Sequence, residues 1–455
     1  MVRDDTNHGD GHEDTHRGEH ILRVFDEAFG ELLAADPAAF QVKFRKMAAS
    51  AFAFYRGTAC LFYADLADGA NAADGPFLDE RTARVWIHGD LHAENFGTYM
   101  DANGRLVFNV NDFDEAYVGP FTWDLKRLAA SLALIGYTKA LSDERISALV
   151  RAYAGAYRER IRALASGAKA DEVPPFTLHT ARGPLLDALH QARRHTRFSL
   201  LDSMTEIVDD ERRFSRGPGA IPLDDATREQ ALAAFEAYTA TLPETGAPGR
   251  DAYRVKDVIG RRGIGIGSAG LPSYNFLLEG HSDALENDVV IYMKQGQTPA
   301  VSRHVTDRRI RDYFRHEGHR TVISQRALQA ASDPWLGWSE LEGADGPRGQ
   351  LVAEVSPYAV DLDWSDIDDP ADIEAVVADL GRATATMHAA ADIAESGHDL
   401  VPFSTEAAID EAIGRDEEGF ERMLVDFAHS YGARARADHQ TFVDLFRNGR
   451  IAGLD

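Results

Sequence analysis

The sequence predicts an α+β protein with two lobes, one large and helical, the other small and built of antiparallel strands. Apolar residues recur with helical spacing between residues 21 and 67, and the same spacing returns in residues 371–393 and 404–451. At residue 255 the apolar period changes to that of a strand, and short apolar stretches follow at residues 274–278 and 289–294. This change of period marks the start of the predicted β lobe.

The composition is that of an ordinary globular protein with a strong acid excess. The chain has 74 acidic and 48 basic residues, a net charge of −26. This negative charge disfavours nucleic acids and anionic membranes as partners, because both bind surfaces on which lysine and arginine are clustered. Cys60 is the single cysteine, which excludes a disulfide framework. There is no long apolar run and no apolar signal core, so we expect a cytoplasmic protein; the oligomeric state stays open.

The most informative motif is the ten-residue stretch 88–97, His-Gly-Asp-Leu-His-Ala-Glu-Asn-Phe-Gly. Asp90 is followed five positions later by Asn95, which is the catalytic-loop spacing of kinase-like phosphotransferases. In that chemistry the aspartate orients or deprotonates an attacking hydroxyl, and the asparagine reaches a Mg²⁺ held on ATP. The alternative is a loop rich in Asp and Asn that caps its own backbone.

A second acidic motif, Asn-Asp-Phe-Asp-Glu at residues 111–115, follows one short hairpin later. Asn103 and Gly104 between alternating apolar residues predict a type I′ turn. The turn folds the strand of Asp112 back towards the catalytic loop, so Asp90, Asn95 and Asp112 are expected to converge on a space the size of one metal ion. Carboxylate and amide oxygens suit Mg²⁺, which keeps water and phosphate ligands besides.

Two further residues extend this site. Asp124, near the start of a helix after the second motif, is expected to accept backbone N–H groups and to brace the catalytic loop. Arg56 either reaches the active site or pairs with a carboxylate in the core; the sequence leaves both possibilities open.

Residues 257–270 combine an apolar strand with a glycine-rich turn, and a second strand follows rather than a helix. A dinucleotide-binding fingerprint requires a helix there, whereas a hairpin with a glycine-rich tip can fold over phosphates. We therefore predict phosphate contacts from Gly263, Gly265, Gly267 and Ser268; an ordinary glycine-rich hairpin tip is the alternative. Lys294 ends the third strand in a chain with only seven lysines, and its compact ammonium suits phosphate oxygens.

These motifs divide the chain into four predicted segments. Residues 1–19 are an acidic, histidine-containing tail expected to be disordered. Residues 20–254 are the helical lobe with the catalytic loop and the metal-binding hairpin, residues 255–360 are the β-rich nucleotide-binding lobe, and residues 361–455 complete the helical lobe. In a protein kinase the β lobe precedes the catalytic loop. Here it follows, so the predicted fold is a circularly permuted, protein-kinase-like fold.

With these motifs in place, the chain resembles the DUF2252 family of uncharacterised prokaryotic proteins. The motifs that carry the resemblance are Phe54-Tyr55-Arg56-Gly57, Gly89-Asp90-Leu91-His92, Asn95-Phe96-Gly97, Asn111-Asp112-Phe113-Asp114-Glu115, Trp123-Asp124-Leu125-Lys126-Arg127-Leu128, Gly265-Ile266-Gly267-Ser268, Gln329-Ala330-Ala331-Ser332-Asp333 and Leu336-Gly337-Trp338. They run from residue 54 to residue 338, well over half of the chain.

More distantly, the two acidic motifs resemble those of aminoglycoside and choline phosphotransferases. That resemblance implies Asp90 as the base, Asn95 and Asp112 as Mg²⁺ ligands, and Lys294 on the ATP phosphates. Position 114 is Asp where protein kinases have Gly, so Asp112 and Asp114 could share or exchange the metal role. The glutamate that holds the lysine in kinases has no clear counterpart here.

The function predicted from these residues is an ATP- and Mg²⁺-dependent phosphotransferase that acts on a hydroxyl of an unidentified small-molecule or protein acceptor. Two alternatives remain open. The same site could transfer AMP with ATP bound in the reverse sense, or the chain could be a nucleotide-binding pseudokinase scaffold without turnover.

Overall fold

The computed structural model describes residues 10–70, 72–167, 176–217, 219–242, 254–261, 271, 273–329, 331–343, 346–390 and 399–454. The predicted phosphate loop, with Gly263, Gly265, Gly267 and Ser268, lies outside these residues. Residues 1–9 of the predicted tail lie outside them as well. Within the described residues the chain combines helices with antiparallel strands, and the predicted α+β class is confirmed.

The α-helices of the described residues fall before, between and after the strands. They are α1 (Asp10–Ala35), α2 (Pro37–Met47), α3 (Ala51–Arg56), α4 (Ala59–Asp65), α5 (Phe121–Thr138), α6 (Asp143–Ala165), α7 (Gly183–Arg194), α8 (Arg197–Met204), α9 (Asp225–Thr239), α10 (Arg308–Arg311), α11 (Glu317–Leu328), α12 (Pro370–Ala389), α13 (Thr405–Gly414) and α14 (Glu417–Arg447). None of them, in the described parts of the chain, has the length and apolar character that crossing a membrane requires.

The strands lie mainly in the middle of the chain. They are β1 (Val85–Ile87), β2 (Phe96–Met100), β3 (Leu106–Val110), β4 (Tyr117–Gly119), β5 (Phe176–Thr177), β6 (Thr205–Val208), β7 (Glu211–Phe214), β8 (Ala220–Ile221), β9 (Val255–Arg261), β10 (Ser273–Leu278), β11 (Val289–Gln295), β12 (Gly337–Gly343) and β13 (Gly346–Glu354). Smaller sheets pair β1 with β4, β6 with β7, and β3 with both β2 and β5.

The largest sheet of the described residues has the antiparallel order β12–β13–β11–β10–β9–β8. Ser273, at the start of β10, lies opposite Arg261 of β9 on one side and opposite Lys294 of β11 on the other. Because one residue pairs with both, Arg261 and Lys294 lie at the same end of the sheet. Strand β9 ends and strand β10 begins at this same end, so the glycine-rich segment of the sequence connects to the sheet here.

Some elements that come before the predicted β lobe in the sequence contact its sheet. Helix α9 packs on the sheet, where Phe235 stacks on Phe276 with ring centroids 4.8 Å apart. Leu201 of α8 and Phe214 of β7 share a buried cluster with strands β9 to β11. Helices α8 and α9 and strand β7 therefore pack on the large sheet, although they precede residue 255. An amphipathic helix such as α9 has one apolar face, but its sequence does not say which lobe that face covers.

The helical lobe is centred on α5, in which every residue from 121 to 136 is buried. A helix that is buried on all sides must be covered by other elements, and here α6 and α14 pack against it. Three charged side chains are buried in α5: Asp124, Lys126 and Arg127. They need partners in the interior. Asp124 and Arg127 have theirs in the catalytic loop, whereas Lys126 pairs with Asp74.

The N-terminal helix α1 begins at Asp10. Residues 10–19 are therefore helical, whereas the sequence predicts disorder there. Its Arg17 donates to Asp65 at 2.6 Å and to Asp438 at 2.6 Å. The hydroxyl of Tyr431 donates to the same Asp65 at 2.8 Å. The partners of Arg17 lie 48 and 421 positions away in the sequence. The composition of residues 1–19 therefore does not predict these ion pairs.

The predicted hairpin between the two acidic motifs forms from β2 and β3, but its turn differs from the prediction. Asp101 and Arg105 close a three-residue loop through the bond from Asp101 N–H to Arg105 O, 2.9 Å. Gly104 has a φ of 71°, while Asn103 is not left-handed. This is a type I turn followed by a left-handed glycine. The Asp101 carboxylate stabilises it by accepting the N–H groups of Asn103 and Arg105.

Candidate functional site

A cleft of about 1060 Å³ lies between the large sheet and the helical lobe. Five residues predicted from the sequence line it: Asp90, Asn95, Asp112, Asp114 and Lys294. Arg56, Arg261, Ser273 and Tyr292 also line it. The structure therefore brings the two acidic motifs together with the lysine of β11, although about 180 residues separate them in the sequence. The predicted glycine-rich phosphate loop lies outside the described residues.

Asp124 braces the catalytic loop, as predicted. Its Oδ2 accepts the backbone N–H of His88 at 2.6 Å, and its Oδ1 accepts that of Gly89 at 2.9 Å. His388 lies 3.2 Å from Oδ2. Gly89 has a φ of 78°, and a Cβ at this position would lie 2.1 Å from the carbonyl oxygen of Glu115. The glycine is therefore required by both the backbone conformation and the close approach.

The carboxylate of Asp90 is held by Arg127, a residue that is not among the site residues predicted from the sequence. Arg127 Nε donates to Asp90 Oδ1 at 2.6 Å, and the guanidinium lies over the rings of Tyr55 and Phe62. Burial raises the pKa of Asp90 above its ordinary value, although the charge of Arg127 opposes that shift. Arg127 thus both orients Asp90 and favours its ionised form.

Two histidines of the loop each accept a backbone N–H group of the same loop on Nδ1. Nδ1 of His88 accepts the N–H of Asp90 at 3.2 Å, and its Nε2 lies 2.7 Å from the carbonyl oxygen of Asn111. A carbonyl can only accept, so the proton of His88 is on Nε2. His92 accepts the N–H of Glu94 on Nδ1 at 3.3 Å, and burial places its pKa well below the ordinary value. Both rings therefore fix the backbone of the loop.

Asn95 and Asp112 offer one amide oxygen and one carboxylate to the cleft. The Nδ2 of Asn95 donates to the carbonyl of Asp90 at 2.8 Å, so the opposite end of the amide, Oδ1, is the end that a cation would meet. Asp112 has a φ of 58°, a conformation uncommon outside glycine and found at functional sites. Burial and the neighbouring charge of Asp114 raise the pKa of Asp112 to about 6.

This donor set suits Mg²⁺, which prefers hard oxygen ligands and typically takes only one or two carboxylates from a protein. Among the residues that the structure describes, no group of three or more His, Cys, Asp or Glu side chains is arranged to hold a metal ion. Asn95 and Asp112 would therefore hold Mg²⁺ together with oxygens from a ligand such as a nucleotide phosphate.

Lys294 is paired with Asp114 rather than with a glutamate of the following helix. The Nζ–Oδ2 distance is 2.7 Å. Burial alone would lower the pKa of Lys294, but the charges of Asp114, Tyr292 and Asp112 raise it above the ordinary value. Asp114, which the sequence placed among the metal ligands, is thus also the partner of the lysine.

Helix α11 supplies an arginine beside the second acidic motif. Arg320 is buried and donates to the backbone carbonyls of Asp114, Ala116 and Gln297, each at 2.8 Å. Its Nε also donates to Glu317 at 2.7 Å. Arg320 therefore ties the second acidic motif to the segment that follows β11, and so holds the two lobes together beside the site.

Arg56 lines the cleft, and its carboxylate partner Glu94 is partly exposed rather than in the core. The sequence reading missed other residues at the site, namely Arg127, Arg320, Lys43 and Glu115. Burial and the charge of Asp90 raise the pKa of Glu115 to about 7. One signal for Arg127 was available: a charged pair, Lys126-Arg127, inside an otherwise apolar helix requires buried partners.

Comparison with known proteins gives one match. The model of a family described as "uncharacterized protein conserved in bacteria", DUF2252, matches residues 35–445. No curated protein and no solved structure matches the chain significantly. Since the family model spans far more than half of the sequence and includes both acidic motifs, the catalytic-loop brace and Lys294, the chain belongs to the DUF2252 family.

Proposed function

We propose that this protein is an ATP- and Mg²⁺-dependent phosphotransferase of protein-kinase-like fold that acts on a hydroxyl. The observation that carries the proposal is the convergence of Asp90, Asn95 and Asp112 with Lys294 in one cleft. These residue types are the ones that orient a hydroxyl, hold Mg²⁺ and bind phosphates in kinases.

The topology of the β lobe supports the kinase-like part of the proposal. In protein kinases a glycine-rich hairpin precedes a lysine on the third strand, and a helix follows that strand. Here β9 and β10 flank the glycine-rich segment, Lys294 lies on the next strand β11, and α11 comes between β11 and β12. The order β9–β10–β11 in the sheet makes Lys294 a neighbour of the hairpin.

The order of the motifs supports circular permutation. The catalytic loop lies between β1 and β2, and the strands of the large sheet follow it in the sequence. The C-terminal helices α12 to α14 then return to pack on α5 and α6. Helices before and after the large sheet in the sequence thus pack together, with the β lobe inserted between them, and this order is consistent with a permuted two-lobed fold.

Each residue has a defined part in the proposed reaction. Asp90, fixed by Arg127, accepts the hydrogen bond of the acceptor hydroxyl and orients its oxygen towards the phosphoryl group. Asn95 and Asp112 would hold Mg²⁺, which neutralises phosphate charge when bound. Lys294 binds phosphate oxygens, and Arg261 adds positive charge at the same end of the sheet. Positioning and charge neutralisation supply most of the rate in such chemistry.

The first test is thermal unfolding with Mg²⁺ and a non-hydrolysable ATP analogue. A ligand at about 100 times its Kd stabilises a protein by roughly 2.7 kcal/mol, which gives a resolvable shift. We expect a Mg²⁺-dependent rise that is lost in Asp112→Asn. No rise at millimolar nucleotide in the intact protein would refute the nucleotide site.

The second test separates the possible reactions by the position of the radiolabel in ATP. Transfer or slow hydrolysis of the γ-phosphate, lost in Asp90→Ala, supports the phosphotransferase. Transfer of the α-label would assign AMP transfer instead. Nucleotide binding without transfer of either label, to water or to any acceptor in a broad screen, would make the protein a nucleotide-binding scaffold.

A further inference from the structure

We propose that the end of the cleft around Lys43 binds an oxyanion, so that the acceptor is a small hydroxylated molecule carrying a carboxylate or a phosphate. The role of this molecule as acceptor rests on the proposed function. The oxyanion site itself rests only on Lys43 and the surface around it.

Lys43 is a buried cation. Its side chain lies on α2, is 5% exposed, and its ammonium is 4.1 Å from the ring centroid of Phe29 and 5.5 Å from that of Phe40. Among the described residues no carboxylate lies within ion-pair distance of its Nζ. The residue nevertheless lines the cleft, so its charge is available to a bound molecule.

Such an arrangement is costly for folding. A buried ammonium loses its hydration, and only a hydrogen-bonded counter-charge restores that loss. Burial lowers the pKa of Lys43 to about 8, and the weak opposing influences of Cys60, Glu115 and Asp90 do not offset it. The neighbours of Lys43 on the same helix are the core residues Phe40, Phe44 and Met47. An apolar side chain would fit this face of α2, which makes an unpaired cation there a candidate for ligand binding.

Lys43 and Lys294 serve different parts of the cleft. The carboxylates whose charges act on Lys43 are Glu115 and Asp90, whereas those that act on Lys294 are Asp114 and Asp112. Asp90 lines the same cleft as both lysines, and its charge acts on Lys43. A molecule held by Lys43 can present a hydroxyl to Asp90 while the nucleotide phosphates lie near Lys294.

The walls near Lys43 suit a small organic anion. The ring of Phe29 lies beside the ammonium of Lys43, and Leu32, Ala59 and Arg56 line the same cleft. The Nε of Arg56 is buried and has no hydrogen-bond partner. Asp26, Glu27 and Glu31 also line the cleft, but all three are exposed and therefore screened by solvent. The buried cation at this end is Lys43, and its lack of a direct ion pair among the described residues favours an anion over a cationic acceptor.

Selective labelling of lysine with ¹³C tests the inference directly, because the chain has only seven lysines. The Cε–Hε signals of Lys43 and Lys294 are assigned by their loss in Lys43→Arg and Lys294→Arg. Inorganic phosphate and then malonate are titrated into the protein, with sodium chloride at equal ionic strength as the reference. Lys46 lies on the same helix and is exposed, so its signal is the internal control.

We expect a saturable shift of the Lys43 signal, at least about tenfold stronger in apparent affinity than any shift of the Lys46 signal. A response to phosphate alone identifies a phosphate-bearing acceptor, and a response to both anions identifies a carboxylate as sufficient. If the Lys43 signal moves no more than that of Lys46 with either anion, or moves only with a diamine such as putrescine, the inference is overturned.

The same spectra keep this inference separate from the proposed function. Mg²⁺ with a non-hydrolysable ATP analogue is expected to move the Lys294 signal. If it does so and Lys43 does not respond to the anions, the nucleotide site stands and the oxyanion site falls. If Lys43 responds and Lys294 does not, the oxyanion site stands and the proposed phosphotransferase falls.

Discussion

Arg127 donates its Nε–H to the Oδ1 of Asp90 at 2.6 Å, from a position on α5 that is fully buried. A second nitrogen of the same guanidinium also pairs with Oδ1, and donates besides to the carbonyl of Tyr55 at 3.1 Å. The residue expected to orient the acceptor is therefore fixed to the core of the helical lobe. Its charge state depends on a partner that is itself inaccessible to solvent.

Replacement of this partner gives the first prediction. In Arg127→Met, Asp90 loses the charge that opposes the effect of burial, so its pKa rises further. The proposed reaction requires the ionised form of Asp90. As the pH is lowered, the variant should therefore lose turnover at a higher pH than the unchanged protein does. We expect turnover to decrease by about tenfold to a hundredfold at neutral pH.

The measurement is the pH dependence of γ-phosphate release, with Arg127→Lys as the charge-retaining control. The acid limb should move to higher pH in Arg127→Met and much less in Arg127→Lys. An unchanged limb with reduced turnover would mean that Arg127 acts only on the position of Asp90.

The second prediction concerns the brace of the catalytic loop. In Asp124→Ala the buried N–H groups of His88 and Gly89 both lose their acceptor. Each unsatisfied buried donor costs about 1–3 kcal/mol, so the free energy of unfolding should decrease by roughly 2–5 kcal/mol. Asp124→Asn keeps one acceptor oxygen and should lose about half as much. Denaturant unfolding of both variants measures this, and equal losses would contradict the two-acceptor role.

The third prediction is that Lys43→Met stabilises the protein near neutral pH. The pKa of Lys43 is lowered from 10.5 to about 8 in the folded state, which corresponds to a cost on the order of 3 kcal/mol. Below about pH 8 both states are protonated and this cost is fully present. Between pH 8 and 10.5 the unfolded state binds more protons, so the stability of the unchanged protein rises with pH.

The stabilisation by Lys43→Met should therefore shrink as the pH increases towards about 10. Lys46→Met on the same helix is the matched control, and a surface change of this kind stays within about 0.5 kcal/mol. Unfolding free energies at neutral and alkaline pH decide the outcome. Destabilisation by Lys43→Met at neutral pH would mean that the ammonium has a favourable partner.

The fourth prediction separates the roles of Asp112 and Asp114. Asp114 already binds Lys294 at 2.7 Å, so Asp114→Asn releases the lysine and removes a negative charge from the phosphate region. Nucleotide binding in the absence of Mg²⁺ should become tighter in this variant. Asp112→Asn should instead abolish the contribution of Mg²⁺ to nucleotide affinity.

Calorimetric titration with an ATP analogue, with and without Mg²⁺, distinguishes these outcomes. If both variants lose the contribution of Mg²⁺ equally, the two aspartates share the metal. If only Asp114→Asn loses it, the roles are exchanged relative to our assignment.

Residues close together in the chain were the easiest to place from the sequence. Asp90, Asn95 and Asp112 lie within one loop and one hairpin, so turn and strand signals sufficed to bring them near each other. The role of Asp124 followed from its place at a helix start. The strand period likewise predicted β9 to β11 and the position of Lys294 on the last of them.

Contacts between distant segments were decided by the tertiary structure alone. The pairing of Lys294 with Asp114 spans 180 positions, and Arg17 reaches Asp438 across 421. The helix of residues 10–19 was not predicted, for the same reason. Hydrophobic periodicity defines which face of an element is buried, but the partner of that face, and of each buried charge, depends on packing between elements that no local pattern encodes.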